Sequence, residues 1–126
     1  IESGHFDAII CNYANCDMVG HTGDYNAAMQ SVDAVDECLQ KVLASLRQVG
    51  GEALITADHG NVELMFDIAI NQPHTQHTTM PVPLVYVGGR TLKLSEGGSL
   101  ADIAPTMLAL MDLSKPAEMS GRSLIE

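Results

Sequence analysis

Tryptophan is absent from this chain, and three tyrosines and two phenylalanines are its only Phe or Tyr residues. A core must therefore come from aliphatic side chains and methionine, for which an apolar content of 46% suffices. Cations are scarce as well. Six Lys and Arg stand against sixteen Asp and Glu, a net charge of −10. Nucleic acid and anionic membrane surfaces need Lys and Arg to neutralise their phosphates, so both are poor partners for this chain. Phosphate esters stay open to it, because bound divalent cations invert the local field. No apolar run approaches the ~20 residues of a membrane-spanning helix, and no basic-then-apolar leader is visible. Cys11, Cys16 and Cys38 are an odd number without a framework spacing, which predicts free thiols and a cytoplasmic setting. The 126 residues amount to one domain or less. Starting at Ile1 and almost at once strand-like, the sequence reads as a piece of a longer protein.

What is present centres on Thr56-Ala57-Asp58-His59-Gly60-Asn61. The apolar Glu52-Ala53-Leu54-Ile55 before it predicts a buried strand over Glu52 to Thr56. Adjacent residues on a strand face opposite ways. Asp58 and His59 can therefore serve one site only where the strand has ended, and Gly60 offers a permissive backbone for that break. Phe6 to Tyr13 is β-branched through its middle and predicts a buried parallel strand. The following Asp17-Met18-Val19-Gly20-His21 is expected to be a loop. From Asp24 to Val49, Ala28, Val32, Val35, Leu39, Val42, Leu46 and Val49 recur at steps of four and three. That is one face of an amphipathic helix, capped by Thr22 or Asp24 and ended by Gly50-Gly51. Val62 to Gln76 reads as a loop, with a helical turn open near its start. Leu84 to Val87 is a third strand, and residues 91–98 are a polar excursion or short hairpin. A helix from about Asp102 to Met111 tolerates Pro105 in its first turn, after a capping-box spacing at Ser99. The tail from Lys115 to Glu126 is expected to be irregular.

Strands separated by helices predict an α/β layered fold with a mainly parallel sheet. Sites in such sheets collect beyond the carboxyl ends of the strands. That edge would gather Asp17, His21, Asp58, His59, His74 and His77, leaving His5 in solvent. Mixed carboxylate and imidazole donors suit Mn²⁺, Zn²⁺ or Fe²⁺ better than Ca²⁺ or Mg²⁺. Each piece alone reads more readily as a polar turn or a hydrogen-bonded structural histidine than as a ligand. Two ions would want about four protein ligands each. Five or six candidates fall short, and no Ser or Thr stands beside them as a nucleophile.

Three ordered segments carry a resemblance: Cys11-Asn12-Tyr13-Ala14-Asn15-Cys16-Asp17-Met18-Val19-Gly20-His21-Thr22-Gly23, Ile55-Thr56-Ala57-Asp58-His59-Gly60-Asn61 and His74-Thr75-Gln76-His77-Thr78-Thr79. With Gly98-Ser99-Leu100-Ala101-Asp102-Ile103-Ala104-Pro105-Thr106, they resemble the cofactor-independent (2,3-bisphosphoglycerate-independent) phosphoglycerate mutases, members of the alkaline-phosphatase-like superfamily. The resemblance covers nearly the whole chain and looks like the C-terminal part of that enzyme. It implies a three-layer α/β/α phosphatase domain, here partial, with an inserted phosphotransferase domain elsewhere. It implies two divalent ions, typically Mn²⁺. By motif position Asp17, His21 and His77 resemble the ligands of one ion and Asp58 and His59 those of the other. His74 is expected to be second to these or structural. The serine nucleophile and most substrate contacts would lie in segments absent here, in accord with the ligand shortfall. The implied reaction interconverts 3-phosphoglycerate and 2-phosphoglycerate through a phosphoserine, in an enzyme that is itself a monomer, while this chain alone would be inactive. Another phosphomutase or phosphohydrolase of the same superfamily, or a non-catalytic metal-binding module, stands as the alternative. Half a sheet without its neighbours should also expose apolar surface and self-associate.

Overall fold

The computed structural model describes all 126 residues. In chain order it has helices α1 (Asn15–Gly20) and α2 (Tyr25–Val49), then strands β1 (Ala53–Thr56), β2 (Phe66–Asp67), β3 (Gln72–Pro73) and β4 (Leu84–Val87). A 3-10 turn (Leu100–Asp102) and helix α3 (Ile103–Leu110) complete it. No helix is long and apolar enough to cross a membrane.

The periodic stripe forms α2 as expected. Asp24 is the cap that is used: its Oδ1 accepts the Ala27 amide at 3.0 Å. Gly50 ends the helix in the left-handed region, φ 67°. Cover along the stripe is uneven. Ala28 is buried, Val35, Leu39, Val42 and Leu46 are half-buried, and Val32 and Val49 are exposed. The N-terminal segment is tied to the helix where Ser45 Oγ donates to Glu2 Oε1 at 2.7 Å. Near the start of α2, α1 packs through Cys16, whose sulfur lies 3.7 Å from the Ser31 hydroxyl oxygen, while that hydroxyl donates to the Ala28 carbonyl at 2.8 Å. All three cysteines are free.

Strands β1 and β4 fall where the apolar runs place them, but their pairing corrects the expected parallel sheet. They are antiparallel, with Ala53 opposite Val87 and Thr56 opposite Leu84. Parallel neighbours need a crossover, usually a helix. Residues 57–83 contain no helix, only the β2–β3 hairpin, so the chain returns beside β1 in the opposite sense. Asn71 makes that hairpin's turn at φ 51°, a conformation asparagine tolerates. The segment from Phe6 to Tyr13 also departs from expectation. None of its amides or carbonyls joins a backbone hydrogen bond, and Phe6, Ile9 and Ile10 are 70%, 50% and 90% exposed. β-branched composition gives it strand propensity, yet a strand exists only against a neighbour, and none lies beside it. The α/β class holds for a partial domain. The parallel sheet does not form within it.

The C-terminal third is held by side chains. Asp102 Oδ2 accepts the Ser99 amide at 2.8 Å, the reciprocal half of the capping box, and Asp102 Oδ1 accepts the Arg122 amide at 2.7 Å. Thr106 is fully buried. Its hydroxyl donates to the Asp102 carbonyl at 2.6 Å and accepts the Leu124 amide at 3.0 Å. Residues 91–98 make no hairpin of their own. Leu94 instead bridges to Ile125, with Ser95 donating to the Leu124 carbonyl at 2.7 Å. The tail is irregular, as expected, yet strapped down.

The surface is large for the mass. A compact monomer of 13.4 kDa exposes about 6,500 Å². This chain exposes 8830 Å² and buries only 11 residues.

Candidate metal centre

Residues Asn15–Gly20 are helical, where a loop was expected, and Gly20 is the last helical residue. A single short helix is enough to bring i and i+4 side chains together. Asp17 Oδ1 and His21 Nε2 stand 3.1 Å apart as a result. The stretch after β3 delivers His77, whose Nε2 is 2.9 Å from the same Asp17 oxygen and 3.1 Å from His21 Nε2. The turn after β1 delivers His59, with Nε2 at 3.9 Å from Asp17 Oδ1 and its ring stacked on His77, centroids 3.6 Å apart. A bridge between Gly60 and Thr78 fixes these two stretches against each other.

Proton placement shows what this cluster offers. His21 Nδ1 lies 2.7 Å from the Thr75 carbonyl, which can only accept. A proton therefore sits on Nδ1, which leaves Nε2 as the nitrogen that faces Asp17 and that could ligate a metal. His59 Nδ1 faces the Gly60 carbonyl at 3.3 Å and is set the same way. Backbone carbonyls that fix the tautomer in this fashion are the usual outer support of metal-binding histidines. The Asn61 amide, above all, holds the Asp17 carboxyl below its ordinary value; burial opposes this, and His21 and His77 add to the lowering. Asp17 is thus an anion facing convergent ring nitrogens. One proton can bridge only one pair of these atoms, whereas a cation can serve all of them. Around a four-coordinate ion with bonds of about 2.0–2.1 Å, neighbouring donors stand roughly 3.3 Å apart. The spacings of 2.9, 3.1 and 3.1 Å among Asp17, His21 and His77 are close to that. Asp17, His59 and His77 also form a group able to hold an ion, with donor atoms within 4.8 Å of one another.

Comparison with known proteins agrees with that chemistry. Residues 1–115 match the metalloenzyme superfamily. The chain belongs to that superfamily. It is 68% identical, over 126 residues, to the 2,3-bisphosphoglycerate-independent phosphoglycerate mutase of Saccharophagus degradans, covering all of this chain and 24% of that protein. The namesake of Cellvibrio japonicus is 66% identical over 99% of this chain and 24% of its own length. Among solved structures, a Leishmania mexicana phosphoglycerate mutase crystallised at low cobalt concentration superimposes with a TM-score of 0.87 at 33% identity. That match covers 99% of this chain and 26% of the other. The chain thus spans about a quarter of the length of the curated relatives it matches.

Not every candidate residue joins the metalloenzyme cluster equally. Asp58 sits at its margin. Its side chain is 74% exposed, Oδ1 accepts the His59 amide at 3.1 Å, and Oδ2 is 3.6 Å from His59 Nε2. His74 stays outside, half-buried, with its amide on the Met65 carbonyl at 3.0 Å and Nδ1 buried without a partner. His5 is exposed. Three residues that sequence reading did not single out support the cluster: Asn61 Nδ2 donates to Asp17 Oδ1 at 3.0 Å, while the Glu63 carboxylate takes the Asn61 amide at 2.6 Å and the Thr78 hydroxyl. Burial pushes the Glu63 carboxyl up, but the bonds from Thr78 and from backbone amides outweigh it and hold it below its ordinary value. The available signal was glycine: Gly20 precedes His21 and Gly60 follows His59.

Proposed function

We propose that the chain is the metal-binding part of the phosphatase domain, its C-terminal segment, in a 2,3-bisphosphoglycerate-independent phosphoglycerate mutase. The convergence of Asp17 Oδ1, His21 Nε2 and His77 Nε2 at 2.9–3.1 Å carries the reading. The high identity of the mutase relatives supplies the substrate class, phosphoglycerate. Asp17, His21 and His77 would hold one divalent ion, and His59 with Asp58 would contribute to a second, with Mn²⁺ as the metal proposed. When bound, such ions lower the pKa of a nucleophile and shield phosphate charge. In the intact polypeptide the phosphoryl group passes from one glycerate hydroxyl to a serine outside this chain, then returns to the other hydroxyl. This chain's own part is to present the anion of Asp17 and the Nε2 atoms of His21 and His59, whose Nδ1 atoms are hydrogen-bonded to the Thr75 and Gly60 carbonyls.

A calorimetric Mn²⁺ titration of the chain tests the metal centre. Saturable binding is expected, and no binding by a chain that circular dichroism shows folded would sink it. For the reaction, ³¹P NMR of the intact polypeptide with 3-phosphoglycerate should show the 2-isomer forming. Release of inorganic phosphate in its place would point to the phosphohydrolase alternative.

The same reading bears on assembly. The chain exposes roughly 2,300 Å² beyond a compact monomer, an area in the range of obligate interfaces. Phe6, Ile9 and Ile10 lie in this exposed surface beside an unpaired backbone. Alone in solution the chain should therefore elute above 13.4 kDa in size-exclusion chromatography with light scattering. A clean monomer that binds no apolar dye would contradict this.

A further inference from the structure

Asn61 is buried between the end of α1 and the turn after β1, and its side-chain oxygen has no hydrogen-bond partner. Buried amides ordinarily avoid that loss. The nitrogen explains it. Nδ2 donates to Asp17 Oδ1 at 3.0 Å and approaches the Asp17 carbonyl at 3.4 Å. Turning the amide over would set its oxygen against two acceptors, so Asp17 dictates its orientation. Gly20 provides the seat: a Cβ there would stand 2.0 Å from Asn61 Oδ1 and 2.7 Å from its Cγ. On the backbone side, Glu63 Oε2 accepts the Asn61 amide at 2.6 Å, and Glu63 Oε1 takes the Thr78 hydroxyl. Gly60 makes room for that pair, since a Cβ would lie 2.1 Å from Glu63 Oε1 and 2.2 Å from Thr78 Oγ1. Neither glycine has positive φ. Both are required by close approach, which corrects the backbone-break role expected of Gly60.

We propose that Asn61, seated on Gly20 and braced by Glu63, is a positioning residue that holds Asp17 Oδ1 toward the three histidines. It rests on the metal-centre reading above. Asn61 occupies one lone pair of Oδ1 and leaves the other free for the ion. Without it the Asp17 carboxylate can rotate, and the cluster loses its fixed anion.

Gly20→Ala separates this role from a merely structural one. Alanine is the better helix former, so a Gly20 serving only α1 predicts unchanged metal affinity and no loss of melting temperature. The brace predicts Mn²⁺ binding weakened about 10- to 100-fold, as for other outer-shell changes, and the same for Asn61→Ala. Glu63→Gln alters an exposed side chain, keeps the core intact, and should weaken binding several-fold. Affinity unchanged in the folded variants would overturn the proposal. A metal-free measurement runs beside it. By NMR the Asn61 side-chain amide protons should exchange slowly in the unmodified chain and rapidly in Asp17→Ala. Equal exchange in both would overturn the brace. Slow exchange without Mn²⁺ binding would reject the metal reading and leave the brace standing.

Discussion

Asp17→Ala is expected to abolish saturable Mn²⁺ binding, a larger loss than the ~10- to 100-fold typical of outer-shell changes. One oxygen of this residue meets His77 Nε2 at 2.9 Å, Asn61 Nδ2 at 3.0 Å, His21 Nε2 at 3.1 Å and His59 Nε2 at 3.9 Å. It is the only anion in the closest group. Removing it leaves imidazole lone pairs facing one another with nothing to offset the ion's charge. The side chain is only partly covered, so the fold should survive, and circular dichroism should match the unmodified chain. Asp58→Ala should cost much less, because the Asp58 side chain is 74% exposed and its polar partner is His59. Should Asp58→Ala prove the more damaging, the principal site would move to Asp58 and His59. Binding indifferent to both changes would remove the centre from this cluster altogether. Asp17 is held below the ordinary 3.8, so a loss of binding on mild acidification would fall to the imidazole ligands, which bind metal only when unprotonated, and not to this carboxylate.

How much of this could be read beforehand depends on whether the information is local. The stripe from Ala28 to Val49 states its own period, and Asp24 and Gly50 mark its ends, so α2 was legible almost to the residue. Strands β1 and β4 and the Ser99–Asp102 cap were legible for the same reason. Pairing was not. Phe6 to Tyr13 has strand chemistry, but only a neighbour makes a strand. The antiparallel sense of β1 and β4 follows from the missing helix in residues 57–83, a stretch that sequence reading had left partly undecided. Helix α1 is too short to show a period, so Asp17 and His21 are brought together in the sequence by motif position, while their element reads as a loop. At the site, the ligand-like types drew attention. Asn61 and Glu63 did not, because their role lies in contacts to Asp17 and Thr78, residues 44 and 15 positions away. Both glycines were visible, but their reason, space for a neighbouring side chain, exists only in three dimensions.

The other large effect should come from a methyl group. Gly121→Ala would put a Cβ 2.0 Å from the Ala101 carbonyl oxygen, 2.5 Å from its carbon and 3.0 Å from the Asp102 amide nitrogen. Every one of these atoms is backbone in the turn that starts α3, so no rotamer change can relieve the clash. Either the tail lifts or the turn shifts. Lifting the tail loses the Arg122 amide bond to Asp102 Oδ1 and strains the Leu124 amide bond to Thr106 Oγ1, at 2.7 and 3.0 Å. Overpacking costs about 1–3 kcal/mol, and each lost hydrogen bond adds about 0.5–1.5 kcal/mol. Urea unfolding at pH 7 should therefore show a loss of about 1.5–4.5 kcal/mol, a large share of the ~5–15 kcal/mol of an ordinary domain. Thr106→Val, nearly isosteric, strips the hydroxyl from the same strap and should cost about 1–3 kcal/mol. The two changes share the Leu124 contact, so the double variant should lose less than the sum of the singles. Full additivity would mean that the tail is not held as one unit. A Gly121→Ala chain as stable as the original would mean that the tail does not pack against the Ala101 carbonyl in solution.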